Sequence, residues 1–528
     1  MQAALFIGML SAARRVPRRL PVPVRSFYNV KEVNVPNWLN GKPVQSKSTE
    51  WVEHCNPATL ELISRVPNST PEEMQAAVDS AKKAFESWRR VPFSSRVRIM
   101  MRFMELIRDN QAELIHDITT EHGKTIADAT GEIVRGMEVV EHACSLSARA
   151  PGGMVSGLAT EVDTYSWREP LGVTATIMPF NFPFMCPLWS VPIALVTGNT
   201  VVMKPSEKVP HGGMNIAKMF TEAGLPDGCL NVIHGQARTV NFICDDPDIR
   251  TISFVGSNRA GEHIYARASP SGKRVQCNMG AKNHIVIMPD ADKETALNGI
   301  MGSAFGAAGQ RCMANSVGVF VGEAKNWIPD LVERASKLRV GEGHAKESDF
   351  GPLISPEAKT RAVEITKKSV GEGAKLLLDG LNPTVPAPHD KGNFLGATIL
   401  GDVKADMECY KEEIFAPVFS TLAVDTLDDA IAFVNASPYG NGTSIVTNSG
   451  AAARKYQYEV QCGQVGINVP IPVGLYFFGF TGWKASFRGS NHFYGQDGIN
   501  FFTESKTVIA HWKYEGSAEM QMAFPQHK

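Results

Sequence analysis

Apolar residues recur at three- and four-residue spacing between 71 and 126, in Met74, Ala77, Val78, Ala81 and Phe85 and again in Phe103, Leu106, Ile107 and Leu114. This is the repeat of helices that bury one face, so the spacing predicts a helical stretch here. From 172 to 286 the pattern changes to short apolar runs, at 173–178, 200–203, 230–233, 251–255 and 284–288, separated by helix-like segments. Strands alternating with helices predict an α/β fold with a doubly wound, Rossmann-like parallel sheet, the usual platform for a nucleotide cofactor. A further helix is predicted through 299–308, followed by a second set of strand and helix signals up to about 466. The stretch 382–393 is rich in Pro and polar residues and reads as an exposed loop. Two-residue alternation at 161–165 and 507–512 predicts strands, and the polar tail from 516 predicts disorder.

These signals divide the chain into a cofactor-binding unit at 30–150 and 171–280 and a second α/β unit at 281–480. They leave a small β element at 151–170 and 481–515 and a tail at 516–528. A length of 528 residues suits several units, since single cores stop growing well before that size. A net charge of -1 argues against a nucleic-acid partner, which needs clustered cations. The longest apolar stretch, 184–196, is broken by Pro187 and Pro192 and is too short to span a bilayer, so no membrane association is expected. The nine cysteines form no C-x-x-C pair and no Cys/His cluster at zinc spacing, which points to a reducing compartment and no structural metal. The first 31 residues hold Arg14, Arg15, Arg18, Arg19 and Arg25 and no acid. That composition predicts a mitochondrial transit peptide over 1–27, cut after Arg25-Ser26-Phe27, and a matrix location.

Four short stretches carry candidate chemistry. Gly256-Ser257-Asn258-Arg259-Ala260-Gly261 follows the apolar run 251–255 and opens a helix-like segment. A strand, a glycine turn and a helix N-terminus can cradle a pyrophosphate, although the same stretch fits a plain tight turn. Lys204-Pro205-Ser206-Glu207 ends another strand, where a carboxylate can accept hydrogen bonds from both ribose hydroxyls and would repel a 2′-phosphate. Glu207 therefore favours NAD over NADP, unless it is only a first-turn helix acid. Asn181, in Pro179-Phe180-Asn181-Phe182-Pro183, offers an amide donor for an oxyanion, or else a turn residue. Cys312, in Phe305-Gly306-Ala307-Ala308-Gly309-Gln310-Arg311-Cys312, lies among small residues and beside a cation that favours thiolate.

Together these stretches resemble the aldehyde dehydrogenase superfamily from about 35 to 512. The shared motifs are P-F-N-F-P around Asn181, K-P-S-E at 204–207, F-V-G-S at 254–257, the Cys312 segment and Glu413-Ile414-Phe415-Ala416-Pro417. The resemblance implies that Cys312 is the nucleophile and that Asn181 and the Cys312 backbone N–H receive the oxyanion. It further implies that Phe180, Lys204, Glu207, Gly256, Ser257, Glu413 and Phe415 hold NAD, with Ala416 adding a methyl group where the motif has Gly. Where hydrolytic members carry E-L-G-G-K, this chain reads Asn278-Met279-Gly280-Ala281-Lys282. An amide cannot take a proton from water, whose pKa is about 15.7, whereas a thiol with pKa of about 8.5 needs far less help. Asn278 thus points to deacylation by coenzyme A.

The runs around Asn278 and Cys312 are similar to the CoA-acylating branch acting on malonate and methylmalonate semialdehydes, in valine and in pyrimidine and β-alanine breakdown. Those substrates carry a carboxylate, which Arg311 and, by resemblance, Arg135 would bind. A free-acid-releasing dehydrogenase and a silent structural relative are the alternatives. The stretch Val473-Gly474-Leu475-Tyr476-Phe477-Phe478-Gly479-Phe480-Thr481, with Trp483-Lys484 after it, departs from the family's substrate-side loop, and its aromatics either narrow the aldehyde tunnel or fill core. A homodimer or homotetramer is expected by analogy.

Overall fold

The first sheet has eight strands, and its five central members, Leu230–Val232, Thr200–Lys204, Val173–Ile177, Ile249–Val255 and Arg274–Asn278, run parallel in that order. Nearly every side chain in these five strands is buried, which is why four of them read as apolar runs rather than alternations. Arg274–Asn278, with its polar Arg, Gln and Asn, has no such signal, and the run at 284–288 is Asn283–Ile287 of the second sheet. The computed structural model describes residues 34–146 and 152–512, so the predicted transit segment and the tail from 516 lie outside the described residues. Helices Pro71–Trp88, Phe93–Asp109 and Gln111–His122 occupy the stretch where helical spacing is found. Thr70 caps the first of them, accepting from the Glu73 backbone while the Glu73 carboxylate accepts from the Thr70 N–H.

Chain order along the first sheet runs outward from Val173–Ile177 to Leu230–Val232 and then returns to the other side with Ile249–Val255. The crevice between Val173–Ile177 and Ile249–Val255 is therefore the switch point, outside the carboxyl ends of the strands, where such sheets take ligands.

The second sheet has seven strands in the order Lys375–Leu378, Thr398–Gly401, Val418–Val424, Asn315–Val321, Asn283–Ile287, Gly442–Val446 and Gln464–Ile467, parallel except at the first pair. Only 279–282 separate the last parallel strand of the first sheet from Asn283–Ile287. The carboxyl edge of one sheet thus faces the amino edge of the other. The predicted 299–308 helix is Lys293–Phe305 followed by a 3-10 turn, Gly306–Gly309, and 382–393 has no helix or strand.

A small antiparallel sheet is formed by Gly153–Ala159, Val162–Pro170 and Thr503–His511. Of the described residues from 481 to 512, only Thr503–His511 joins it. Phe487–Arg488 pairs with Arg274–Asn278 at the edge of the first sheet, and helix Gly495–Phe502 buries Ile499, Phe501 and Phe502 in the same core as Ile193.

Candidate active site

Cys312 lies between the turn Gly306–Gly309 and the strand Asn315–Val321, at the junction of two cavities that it lines from both sides. The larger cavity, of ≈ 1070 Å³, is also lined by Phe180, Asn181, Lys204, Glu207, Gly256, Ser257, Glu413 and Phe415. The smaller, of ≈ 330 Å³, is lined by Arg135, Arg311, Asp128, Phe182, Tyr476 and Phe480 among others. The candidate cofactor residues and the candidate substrate arginines are thus brought to opposite sides of one sulfur. Asn278 is not on either wall: it is fully buried at the end of its strand, with its amide oxygen facing Gly482 and no hydrogen-bond partner for either amide atom.

The loop before Cys312 needs unusual backbone. Ala307, Ala308 and Gly309 have φ of 50°, 55° and 70°. A Cβ at Gly309 would stand 2.2 Å from the Ala416 carbonyl oxygen, so only glycine fits there. The two left-handed alanines are held by Asp128, whose Oδ2 accepts the Ala307 N–H at 3.0 Å while its Oδ1 accepts from the Arg311 guanidinium. Asn283 Nδ2 and Asn441 Nδ2 donate to the Cys312 carbonyl at 2.9 and 3.1 Å, which fixes the sulfur's own residue from behind.

Asn181 is held by a separate network. Lys124 and Glu132 form a fully buried ion pair at 2.7 Å, and Lys124 Nζ also donates to the Asn181 carbonyl at 2.5 Å and sits 4.3 Å from the Phe182 ring centroid. Glu132 Oε1 accepts the backbone N–H groups of Phe184 and Met185 at 2.8 and 3.1 Å. The Asn181 amide is therefore aimed by its own backbone, and its Nδ2 donates to the Gln310 carbonyl at 3.0 Å. Neither Lys124 nor Glu132 was identifiable by motif, yet helix Ile126–Ser145 carries Asp128, Glu132 and Arg135 at helical spacing, a polar row on a buried face.

On the cofactor side, the first-turn donors of helix Asn258–Ala268, with Ser257 as its cap, face the cavity at the sheet's switch point. Lys204 Nζ donates to the Glu207 carboxylate at 3.2 Å, and the neighbouring lysines hold that carboxyl below its usual range although burial opposes this. An ionised acid at this place matches ribose hydroxyls and opposes a phosphate. Glu413 is fastened by the Ala281 N–H at 3.0 Å and its backbone by Arg361 at 2.8 Å. Phe415, at φ 58°, meets Phe180 edge to face at 5.9 Å, while Ala416 is buried and does not line the larger cavity. A cavity of this size, with a helix N-terminus at one end and an ionised carboxylate at another, fits a dinucleotide.

Both arginines of the smaller cavity already have partners. Arg311 is engaged by Asp128 and by the Gly302 carbonyl, and Arg135 pairs with Glu138 at 2.7 Å, one helical turn on. The altered 473–481 stretch does both things expected of it. Tyr476 and Phe480 line the cavity, and Phe480 also packs at 4.6 Å on Trp189 in the core, whereas Phe478 is exposed. Trp483 is half exposed, and Lys484 donates to the Asn435 and Ser437 carbonyls at 2.8 and 3.0 Å.

The thiol differs from the expectation of an Arg-assisted thiolate. Burial pushes Cys312 up to about 12, the Glu413 carboxylate adds to that, and Arg311, already neutralised by Asp128, offsets only a small part. Burial likewise raises Glu413 to about 7.

The sequence pattern of the aldehyde dehydrogenase family matches residues 44–508. A methylmalonate-semialdehyde/malonate-semialdehyde dehydrogenase (acylating, mitochondrial) of Bos taurus is 54% identical over 496 residues, covering 94% of this chain and 92% of its own. The methylmalonate-semialdehyde dehydrogenase of Arabidopsis thaliana (acylating, mitochondrial) is 54% identical over 479 residues, covering 91% of this chain and 79% of its own. Among solved structures, a Sinorhizobium meliloti 1021 protein complexed with NAD and provisionally assigned as a methylmalonate-semialdehyde dehydrogenase superposes with a TM-score of 0.90 at 40% identity, over 92% of this chain and 99% of that one.

The electrostatics of the sulfur set a pH dependence. A thiol raised by burial reacts only through its small thiolate fraction, so alkylation of Cys312 in the cofactor-free protein should rise about tenfold per pH unit from pH 6 to 9. Glu413 is charged above about pH 7 and suppresses thiolate only there, so Glu413→Gln should speed alkylation at pH 8–9 and leave pH 6 nearly unchanged. Mass-spectrometric timing of iodoacetamide labelling reads both; a pH-independent rate would refute the account.

Proposed function

This chain belongs to the aldehyde dehydrogenase family, and from that premise we propose that it is a mitochondrial, NAD-dependent, CoA-acylating dehydrogenase of malonate and methylmalonate semialdehydes. The observation that carries the proposal is the position of Cys312 between a dinucleotide-sized cavity and a smaller one bearing Arg135 and Arg311. A carboxylated aldehyde entering the smaller cavity places its carboxylate toward the arginines and its carbonyl carbon at the sulfur.

The Cys312 thiol releases its proton to solvent and the sulfur forms a bond to the carbonyl carbon as the C=O π pair moves onto oxygen, which becomes an anion. The proposed donors to that oxygen are the Asn181 amide, on the residue held by Lys124, and the Cys312 N–H. When bound, NAD supplies the hydride acceptor that turns this adduct into a thioester. The thioester's α-carbon carries the carboxylate, so cleavage of that C–C bond releases CO2 and leaves its electron pair in the thioester as an enolate. A proton then adds to carbon, and the CoA thiol takes the acetyl or propanoyl group and returns Cys312 as thiol.

Water is a poor competitor for the acyl group because position 278 holds an amide rather than a carboxylate, and that amide is packed behind Gly482. The small sheet exposes Met154, Val155, Leu158, Tyr165, Trp167 and Ile509, an apolar strip that supports reading it as a subunit contact in a homodimer or homotetramer.

Three outcomes test these readings. Omitting CoA should leave one equivalent of NADH per chain and then lower the steady rate by about 100-fold or more, and Cys312→Ala should remove the burst as well. Undiminished turnover without CoA would make the protein a hydrolytic dehydrogenase. Because Glu138 competes for Arg135, Glu138→Gln should raise kcat/KM for malonate semialdehyde by about 3- to 10-fold and leave propanal unchanged; an equal change for both would remove Arg135 from carboxylate binding. Sedimentation at micromolar concentration should give a dimer or larger, with Trp167→Glu weakening it, and a monomer would overturn the subunit contact.

A further inference from the structure

Away from both cavities, three side chains from separate elements converge in the interior: His54 on strand Trp51–Cys55, Glu121 in helix Gln111–His122 and His211 at the start of helix His211–Glu222. All are buried, at 2%, 2% and 8% exposure, and their ligand atoms lie within 4.8 Å of one another. His211 Nδ1 contacts Glu121 Oε1, and His54 Nε2 faces the same oxygen at 3.6 Å.

That last distance is informative. His54 Nδ1 is hydrogen-bonded to Ser64 Oγ at 3.0 Å, while His54 Nε2 is buried and has no hydrogen-bond partner. A ring N–H aimed at a carboxylate would close to about 2.8 Å. Two ligands each about 2.0–2.1 Å from one tetrahedral ion stand about 3.3 Å apart, close to the observed separation. The Ser64 contact is the kind of outer hydrogen bond that orients a ligating imidazole and leaves its far nitrogen as a lone pair.

Charge points the same way. Glu113, Asp117 and Glu121 follow one another at four-residue spacing on one face of the helix, where like charges repel, with Glu113 and Asp117 partly buried and Glu121 buried. Asp117 accepts from Asn215 at 3.1 Å. The row runs along the helix toward the two imidazoles.

We propose that His54, Glu121 and His211 bind one zinc-class divalent cation, which enters along the Glu113–Asp117–Glu121 row and takes the place of the proton between His211 and Glu121. Two nitrogens and one carboxylate oxygen suit zinc or cobalt(II) rather than magnesium or calcium, which prefer all-oxygen shells. The ligand atoms of His211 and Glu121 must part by about 1 Å to take a metal at normal bond lengths. His211 lies four residues beyond Glu207, so the bound ion would brace the loop that lines the larger cavity without touching the reacting atoms.

The test uses the full chain with Cys312→Ser, so that the active-site thiol contributes no metal binding. After chelator treatment, titration with cobalt(II) should give about one equivalent with the visible bands of a tetrahedral ion, and zinc should displace it and raise Tm. His54→Gln and His211→Asn, each shown folded by circular dichroism, should weaken binding by about 100-fold or more, and Ser64→Ala by about 10-fold. Should either histidine variant fail to fold, Ser64→Ala and Asp117→Asn, both outside the three ligands, carry the test by the same readout. Absence of a stoichiometric tetrahedral spectrum, or binding that survives both histidine substitutions, would overturn the proposal.

Discussion

The buried ion pair of Lys124 and Glu132 is the contact on which the active-site geometry depends. With both side chains wholly removed from water, the pair is tolerable only because every remaining charge is met: Lys124 by the Asn181 carbonyl and the Phe182 ring, Glu132 by two backbone N–H groups. Loss of one partner from such a pair costs about 3–5 kcal/mol, because the other charge is left buried alone. That penalty makes the Asn181–Met185 loop a single arrangement rather than an ensemble. The same helix then reaches the other half of the site, since Asp128 holds the left-handed turn before Cys312. One helix face therefore couples Asn181, after a strand of the first sheet, to Cys312, just before a strand of the second, and keeps the two at a fixed separation.

That coupling explains why the strained backbone at 307–309 persists. Two alanines in the left-handed region cost about 1–2 kcal/mol each. The Asp128 clamp, the Asn283 and Asn441 amides and the close packing of Gly309 on Ala416 together leave the loop no relaxed alternative. Strain held this way presents the sulfur to both cavities at once.

Much of this was legible before any coordinates. Four of the five central strands of the first sheet stand out because both faces are buried and their cores are apolar. The fifth, Arg274–Asn278, carries Arg, Gln and Asn and gives no apolar run, and the run at 284–288 belongs to the second sheet. The motifs sit at strand ends, and strand ends are where a doubly wound sheet assembles ligand sites, so Asn181, Glu207, Ser257 and Cys312 converge as the periodicity implies. Polar residues whose meaning is purely tertiary were not legible. Lys124 and Glu132 look like ordinary helix-flanking charges, and only the fold shows that they are buried. The position of Asn278 was likewise out of reach, because identity alone cannot say that its amide turns to Gly482 rather than to either cavity. The return of Phe487–Arg488 to the first sheet escaped notice because a two-residue edge strand has no periodicity.

The smaller cavity is best understood as a balanced field. Each of its cations has an acid beside it: Arg311 with Asp128, Arg135 with Glu138, and Lys124 with Glu132 behind the wall. Such a cavity exerts little long-range pull on an anion, so a carboxylated aldehyde is recognised by local hydrogen-bond geometry once inside, against aromatic walls from Tyr476 and Phe480. Balance also serves the proposed chemistry. The carboxylate is lost as neutral CO2, so every interaction that stabilises its charge in the bound thioester must be surrendered as the C–C bond breaks. An unopposed pair of arginines would deepen the ground state and raise that barrier. In the proposed reaction, a clamp whose charge is shared with Glu138 and Asp128 would orient the substrate at Cys312 while weakening its hold on the group that has to leave.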